Sequence, residues 1–117
     1  MARDDNSYLL HIRDAIDRIF GYTSAGDGLF FTDRKTQDAV IRNLEIIGEA
    51  AKRLSDSTKE QPSTIPWSSL AGLRDVLAHQ YFSVDLEMIW EVVAVELTPI
   101  REQIAEFLAN AEPVDAA

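Results

Sequence analysis

Apolar side chains recur at intervals of three and four residues along most of the chain, and this repeat constrains the fold more than any other feature. The repeat is clearest between Asp33 and Leu54, where the apolar stripe consists of Val40, Leu44, Ile47, Ala51 and Leu54. A period near 3.6 residues places such side chains on one face of a helix, whereas a strand would alternate every second residue. The repeat therefore predicts an all-α protein.

The same repeat divides the chain into four helices. The first is predicted from Ser7 to Phe20, and the second begins after Thr32 or Asp33, since either residue can cap it. The third is predicted over about 66–79 and the fourth over about 85–108. Four amphipathic helices in a single domain of 117 residues predict an antiparallel four-helix bundle. Helices this apolar on so short a chain also lead us to expect a homodimer.

Irregular segments are expected between these helices. Residues 23–28 have the composition of a loop, and residues 55–64 that of a polar connector. Pro99 lies inside the fourth helix, where its missing N–H and its ring predict a kink or a short break. Thr98 would then cap the second piece. The tail at residues 112–117 is expected to fray.

Composition and charge exclude several classes of function. The chain has no cysteine, which excludes disulfides and thiolate metal sites. Its start does not resemble a signal peptide and no apolar run reaches membrane-spanning length, so we expect a cytoplasmic protein without membrane contact. The net charge of −9 argues against general nucleic-acid binding. Beyond Tyr81, however, Arg101 is the only basic residue, so a cleft formed upstream can still be locally positive.

The most concentrated chemistry lies in the segment RDVLAHQY at 74–81. Arg74 carries a permanent charge suited to phosphate and His79 titrates near neutral pH, so the pair can bind a phosphodiester and transfer protons. On a regular helix these two residues diverge by about 140°. They meet on one substrate only if the arginine reaches round, the helix ends near His79, or a twofold copy supplies the second half. Gly72 would permit such a close approach.

The spacing of Arg74 and His79 alone can also be explained without a functional site. An arginine beside Asp75 and a histidine near a helix C-terminus are both common stabilising features. The two histidines and the scattered carboxylates show no metal-ligand spacing, so neither a metal nor a cofactor is expected. His11, beside Leu10 and Ile12, is interpreted as a partly buried structural residue.

Two blocks of the sequence resemble the HepT-like family (also called DUF86) of the HEPN superfamily. The blocks are NLEIIGEA at 43–50 and the series IPW, LAGLRD and HQYF between 65 and 82. With the helix order, the resemblance covers essentially the whole chain. It implies a metal-independent endoribonuclease, the toxin of a toxin–antitoxin pair, whose partner is a minimal nucleotidyltransferase.

The resemblance also implies roles for individual residues. The family's motif of arginine and histidine corresponds to Arg74 and His79. Asp75 stands where many relatives carry asparagine. Tyr81 corresponds to the tyrosine to which the partner attaches AMP, which silences the toxin.

The chemistry of these residues fits RNA cleavage. RNA carries its own nucleophile, the 2′-hydroxyl, so His79 would take its proton or protonate the leaving 5′-oxygen, while Arg74 would hold the phosphate. The alternative is a non-catalytic helical binding subunit of a nucleotidyltransferase complex, which the net charge and Asp75 favour. Side chains that can line or brace the cleft are Asn43, Glu45 and Glu49.

Overall fold

The computed structural model describes residues 3–79 and 85–110, and within these ranges the chain is helical apart from turns and short connectors. No strand occurs in the two described ranges, which confirms the predicted all-α class. The predicted frayed tail at 112–117 lies outside them. The helices are α1 (Arg3–Tyr22), α2 (Asp27–Thr32), α3 (Arg34–Arg53), α4 (Asp56–Lys59), α5 (Trp67–His79), α6 (Leu86–Glu91) and α7 (Leu97–Asn110), with a π-helical segment (Val92–Glu96) between the last two.

Local signals set the starts of the two longest helices. Asp33 caps α3, because its carboxylate accepts hydrogen bonds from the backbone N–H of Thr36 at 3.3 Å and from its hydroxyl at 2.6 Å. Helix α1 begins four residues before the predicted Ser7. Its first turn contains Asp4 and Asp5, whose negative charges favour a helix N-terminus.

The predicted loop at 23–28 overlaps the start of a short helix, and the predicted connector at 55–64 contains another. Gly26 turns the chain with a positive φ of 93°, and α2 begins directly after it, so the loop assignment of Asp27 and Gly28 is wrong. Helix α2 forms because Phe30 is fully buried, with its ring centroid 5.2 Å from that of Trp90. Ser55 caps α4 by accepting a hydrogen bond from the N–H of a buried threonine.

The predicted irregularity in the last helix is a π turn rather than a break. Pro99 is the third residue of α7, and its ring would crowd the carbonyl of Val95 in a regular α-helix. The π segment (Val92–Glu96) includes Val95, and its wider turn leaves room for the Pro99 ring. The proposed cap at Thr98 is wrong, because Leu97 before it has helical dihedral angles and the helix runs straight through.

Helix α3 packs against both α1 and α5, and α1 also packs against α7. The predicted stripe of α3 is confirmed, since all five of its side chains are buried. Within residues 3–79 and 85–110, none of the helices is long and apolar enough to cross a bilayer. The fully buried side chains of α1, α5 and α7 include Leu9, Ile12, Ile16 and Ile19 in α1, Leu77 in α5, and Leu97 and Ile104 in α7.

A buried carboxylate links the start of α1 to the end of α3. Asp5 is 2% exposed, and it accepts hydrogen bonds from the backbone N–H of Ser55 at 3.0 Å and the hydroxyl of Thr58 at 2.6 Å. The Ser55 hydroxyl also donates to it. Burial raises the pKa of Asp5, but these hydrogen bonds outweigh burial and leave the pKa below the ordinary value of a carboxyl group. This contact fixes the end of α1 that lies nearest the candidate site.

Candidate functional site

The position of Arg74 is set by a close crossing of α3 and α5 at Gly48. A Cβ atom added to Gly48 would lie 2.7 Å from the carbonyl oxygen of Leu70 and would overlap the Cβ of Arg74. Only glycine leaves room for α5 to approach α3 this closely. The crossing therefore holds the backbone of Arg74 against the middle of α3, with its side chain directed along that helix toward Glu49.

The guanidinium of Arg74 lies between two carboxylates. Its Nε is 3.4 Å from Oε2 of Glu49, and its Nη1 donates to Oδ1 of Asp75 at 3.2 Å. The other oxygen of Glu49 accepts a hydrogen bond from Nε of Arg53 at 3.0 Å. Because the Arg74 side chain is 39% exposed, each of these ion pairs is worth only about 0–1 kcal/mol. A phosphodiester can therefore compete for the guanidinium.

Arg74 opens into a cleft of about 260 Å³ between α1, α3 and α5. Arg42 and Arg53 of α3 line the same cleft, as do Glu45 and Glu49. Three arginines thus meet these two carboxylates and that of Asp75, so their charges nearly balance, although the chain as a whole carries −9. The positive charge that the sequence allowed for upstream of the acidic C-terminal helix is present in these arginines, but neighbouring carboxylates offset it.

Tyr8 and His11 of α1 complete the cleft wall. Their ring centroids are 6.4 Å apart, with the ring planes at 80°. His11 is exposed, so its interpretation as a partly buried structural residue is wrong. Hydrogen bonds with Glu49 and then with the Tyr8 hydroxyl raise the pKa of Arg53 above its ordinary value. Tyr8 therefore lies near Arg53 of α3.

The remaining predicted supporting residue, Asn43, lies elsewhere. It is 5% exposed, its amide nitrogen donates to the carbonyl of Ala39 at 2.8 Å, and its Oδ1 accepts from Nε of Arg18 at 2.8 Å. These bonds connect α3 to α1, and Asn43 does not line the cleft around Arg74. Its part in the site stays a prediction.

The other half of the predicted motif is only partly visible. His79 is the last residue of α5, and the position of its side chain lies outside what the structure describes. Tyr81 also lies outside the described residues. Gly72 has no atom within 4 Å of the place where its Cβ would be, so the close helix approach within this chain occurs at Gly48 instead.

Metal ligands do not cluster in the described ranges. No group of three or more histidine, aspartate or glutamate side chains there has an arrangement that could hold a metal ion. The carboxylates of the cleft point at arginines: Glu49 at Arg53 and Arg74, and Glu45 at Arg42 at 3.9 Å. Each of these two carboxylates is therefore paired with at least one arginine.

Comparison with known proteins shows the family to which the chain belongs. A family model described as ribonuclease HepT-like matches residues 12–107, a range that reaches from α1 into α7 and includes Arg74, His79 and Tyr81. The chain belongs to the HepT-like family. No solved structure shows significant similarity to it.

Curated relatives of this HepT-like chain are similar over most of its length. A Thermococcus cleftensis protein named “Probable ribonuclease HepT” is 40% identical over 104 residues, covering 86% of this chain and 93% of the relative. A Methanocaldococcus jannaschii protein named “Putative RNase” is 37% identical over 111 residues, covering 94% and 96%.

A second Methanocaldococcus jannaschii relative is longer. It is named “Gamma-glutamylcyclotransferase and putative RNase” and is 42% identical over 109 residues, or 92% of this chain. The HepT-like chain spans about half the length of that relative, 49%.

Proposed function

We propose that the chain is a metal-independent endoribonuclease. The observation that carries this proposal is the position of Arg74, which α5 holds against α3 at Gly48 and which opens into a cleft with two further arginines. Relatives named as ribonucleases support the same reaction class. A partly exposed arginine with two further arginines in its cleft is suited to hold a phosphodiester.

The proposed reaction uses the 2′-hydroxyl of RNA as nucleophile. Its oxygen attacks the adjacent phosphorus while the bond from phosphorus to the 5′-oxygen breaks, and the products are a 2′,3′-cyclic phosphate and a 5′-hydroxyl. His79 accepts the proton of the 2′-hydroxyl or donates one to the leaving oxygen, a role worth about 10²–10⁴ in rate. Arg74 offsets the charge that develops on the phosphorane oxygens.

Two copies of the chain would complete such a site. Arg74 and His79 are five residues apart on α5, and five residues of a regular helix correspond to about 140° around its axis. We propose that the helices form an antiparallel four-helix bundle and that two such bundles pair, so that one cleft gathers an arginine and a histidine from each. One histidine would then act as base and the other as acid.

Substrate substitution tests this mechanism. A single-stranded RNA in which every 2′-hydroxyl is replaced by hydrogen should resist cleavage, because it lacks the nucleophile. The same sequence with ordinary ribose should be cut and should end in cyclic phosphate. Cleavage of the deoxy strand at a similar rate would show that water or another nucleophile attacks instead.

Regulation would follow from the position of Tyr81 in the motif. We propose a toxin–antitoxin pair in which a minimal nucleotidyltransferase transfers AMP from ATP to the Tyr81 hydroxyl and releases pyrophosphate. The added phosphate and adenosine would compete for Arg74 and obstruct the cleft. Intact mass after incubation with the partner and ATP should show one added AMP on the wild type and none on Tyr81→Phe. Equal modification of both would place the site elsewhere.

A second candidate function has its own support. Glu49 and Asp75 both pair with Arg74, and the net charge is −9, so phosphate binding is weaker than in a purely basic cleft. These observations favour a non-catalytic binding subunit of a nucleotidyltransferase complex. Expression without the partner separates the two candidates, because growth arrest that requires His79 is expected only of the ribonuclease.

A further inference from the structure

The geometry points to a nucleotide-binding subsite at the α1 side of the cleft, where Tyr8, His11 and Arg42 take one nucleotide of single-stranded RNA beside the phosphate held by Arg74. The inference rests on the proposed ribonuclease function and extends it to the binding of the substrate strand. Tyr8 and His11 precede the range 12–107 matched by the family model, so that match does not include this wall.

Two ring surfaces are available for a base. Tyr8 and His11 are three residues apart on α1, so both side chains lie on the same face of the helix, and their rings meet edge to face with centroids 6.4 Å apart. His11 is exposed, and the Tyr8 ring lines the same cleft. Unstacked bases of single-stranded RNA stack on tyrosine and histidine rings, largely without regard to sequence.

A weakly held cation lies on the opposite wall. The Arg42 side chain is 73% exposed, and its nearest carboxylate oxygen, in Glu45, is 3.9 Å from Nη1. By contrast, Arg53 is held by Glu49 at 3.0 Å. The guanidinium of Arg42 is therefore the one most easily turned toward a phosphate, which it can bind with two parallel hydrogen bonds.

The volume of the cleft and its continuity with Arg74 favour the binding of one nucleotide. Its volume of about 260 Å³ is just below the ~300–1,000 Å³ of common small-molecule sites. Arg74 lines the same cleft as the two rings, so a strand whose phosphate contacts Arg74 passes directly into this space. A base on the rings and a phosphate on Arg42 would bind the neighbouring nucleotide and so add affinity for the strand.

Binding of a non-cleavable RNA tests the subsite. The probe is a short, fluorescently labelled oligonucleotide with 2′-O-methyl groups, which lacks the nucleophile, and binding is followed by fluorescence anisotropy. His11→Ala should weaken binding about 5- to 100-fold, the range expected for loss of one stacked base. Arg42→Ala should also weaken binding. Tyr8→Phe keeps the ring and should bind more like the wild type than Tyr8→Ala does.

Arg13→Ala is the matched control. It removes one arginine from the same helix, but Arg13 pairs with Asp14 and does not line the cleft. Its binding should equal that of the wild type. His11 and Arg42 are exposed, so their replacement should leave thermal unfolding unchanged. Wild-type affinity in both His11→Ala and Arg42→Ala would overturn the subsite. Displacement of the probe by an acidic peptide as efficiently as by unlabelled RNA would also overturn it and would indicate a protein ligand.

Cleavage kinetics separate this inference from the function on which it rests. His11→Ala should raise KM for RNA and leave kcat nearly unchanged, a result that loss of fold would not produce. RNA cleavage by the wild type with unaltered KM in His11→Ala would refute the subsite and leave the ribonuclease intact. Probe binding that requires His11 and Arg42, without cleavage of any RNA, would refute the ribonuclease and leave the subsite intact.

Discussion

Replacement of Gly48 by alanine should force α3 and α5 apart. The new Cβ would lie 2.7 Å from the carbonyl oxygen of Leu70 and closer still to the Cβ of Arg74, whereas ordinary contact begins at 3.4 Å, so the helices must separate by at least about 0.7 Å there. The atoms in the way are backbone and the Cβ of Arg74, which cannot move aside as the end of a flexible side chain can. Overpacking of this kind costs about 1–3 kcal/mol.

Gly72→Ala provides a control that cancels helix propensity. Both glycines lie inside helices, and alanine is favoured over glycine there by about 1 kcal/mol. Nothing lies within 4 Å of a Cβ at Gly72, so that variant should gain this stability in full. The difference in unfolding free energy between the two variants should therefore be about 1–3 kcal/mol, the overpacking cost alone.

Urea unfolding followed by circular dichroism measures that difference. We expect a lower midpoint for Gly48→Ala than for Gly72→Ala, with similar slopes. Because the backbone of Arg74 moves with α5, Gly48→Ala should also lose RNA binding. A Gly48→Ala protein at least as stable as Gly72→Ala would refute the close crossing and the account of how Arg74 is positioned.

Two further substitutions test the charges around the site. Asp5→Asn removes a buried carboxylate that accepts three hydrogen bonds and should lower the unfolding free energy at pH 7 by about 1–3 kcal/mol. The pKa of Asp5 is lowered in the fold, so the stability that Asp5 contributes is present above the unfolded pKa of about 3.9 and is lost as pH falls through the folded pKa. Denaturant titrations from pH 7 to pH 2 should therefore show that Asp5→Asn loses less unfolding free energy on acidification than the wild type. Glu49→Gln removes the carboxylate that competes with phosphate for Arg53 and Arg74, so the non-cleavable RNA should bind several-fold more tightly with little change in unfolding. An equal acid loss in Asp5→Asn, or weaker RNA binding in Glu49→Gln, would contradict these accounts.

Much of the fold could be predicted because it depends on local rules. The stripe of α3 and its cap at Asp33 follow from side-chain period and capping chemistry, which act within a few residues. Helix α2 could not be predicted from the sequence, because six residues are too few to show a helical period. Phe30 stabilises it through contact with Trp90, which lies far along the chain. Pro99 indicated an irregularity, but the choice between a break and a π turn depends on how the whole helix packs.

The candidate site could likewise be predicted only in part from the sequence. Arg74 could be selected from its charge and its motif, whereas the crossing that positions it depends on Gly48, which lies on another helix. The exposure of His11 follows from its place on the helix and not from its apolar neighbours in sequence. The buried stripe of α1 at Leu9 and Ile12 leaves His11 outside it, beside Tyr8.

We propose that His79 and Arg74 cleave RNA without a metal. The most direct measurement compares the wild type with His79→Ala, each purified without a partner, on total cellular RNA in excess chelator, with intact mass confirming unmodified Tyr81. The account predicts cleavage by the wild type, with 2′,3′-cyclic phosphate ends, and a loss of at least about 10²-fold in His79→Ala. Cleavage that survives in His79→Ala would contradict the assigned role of the histidine. No cleavage by either protein would contradict the ribonuclease itself and favour the binding subunit.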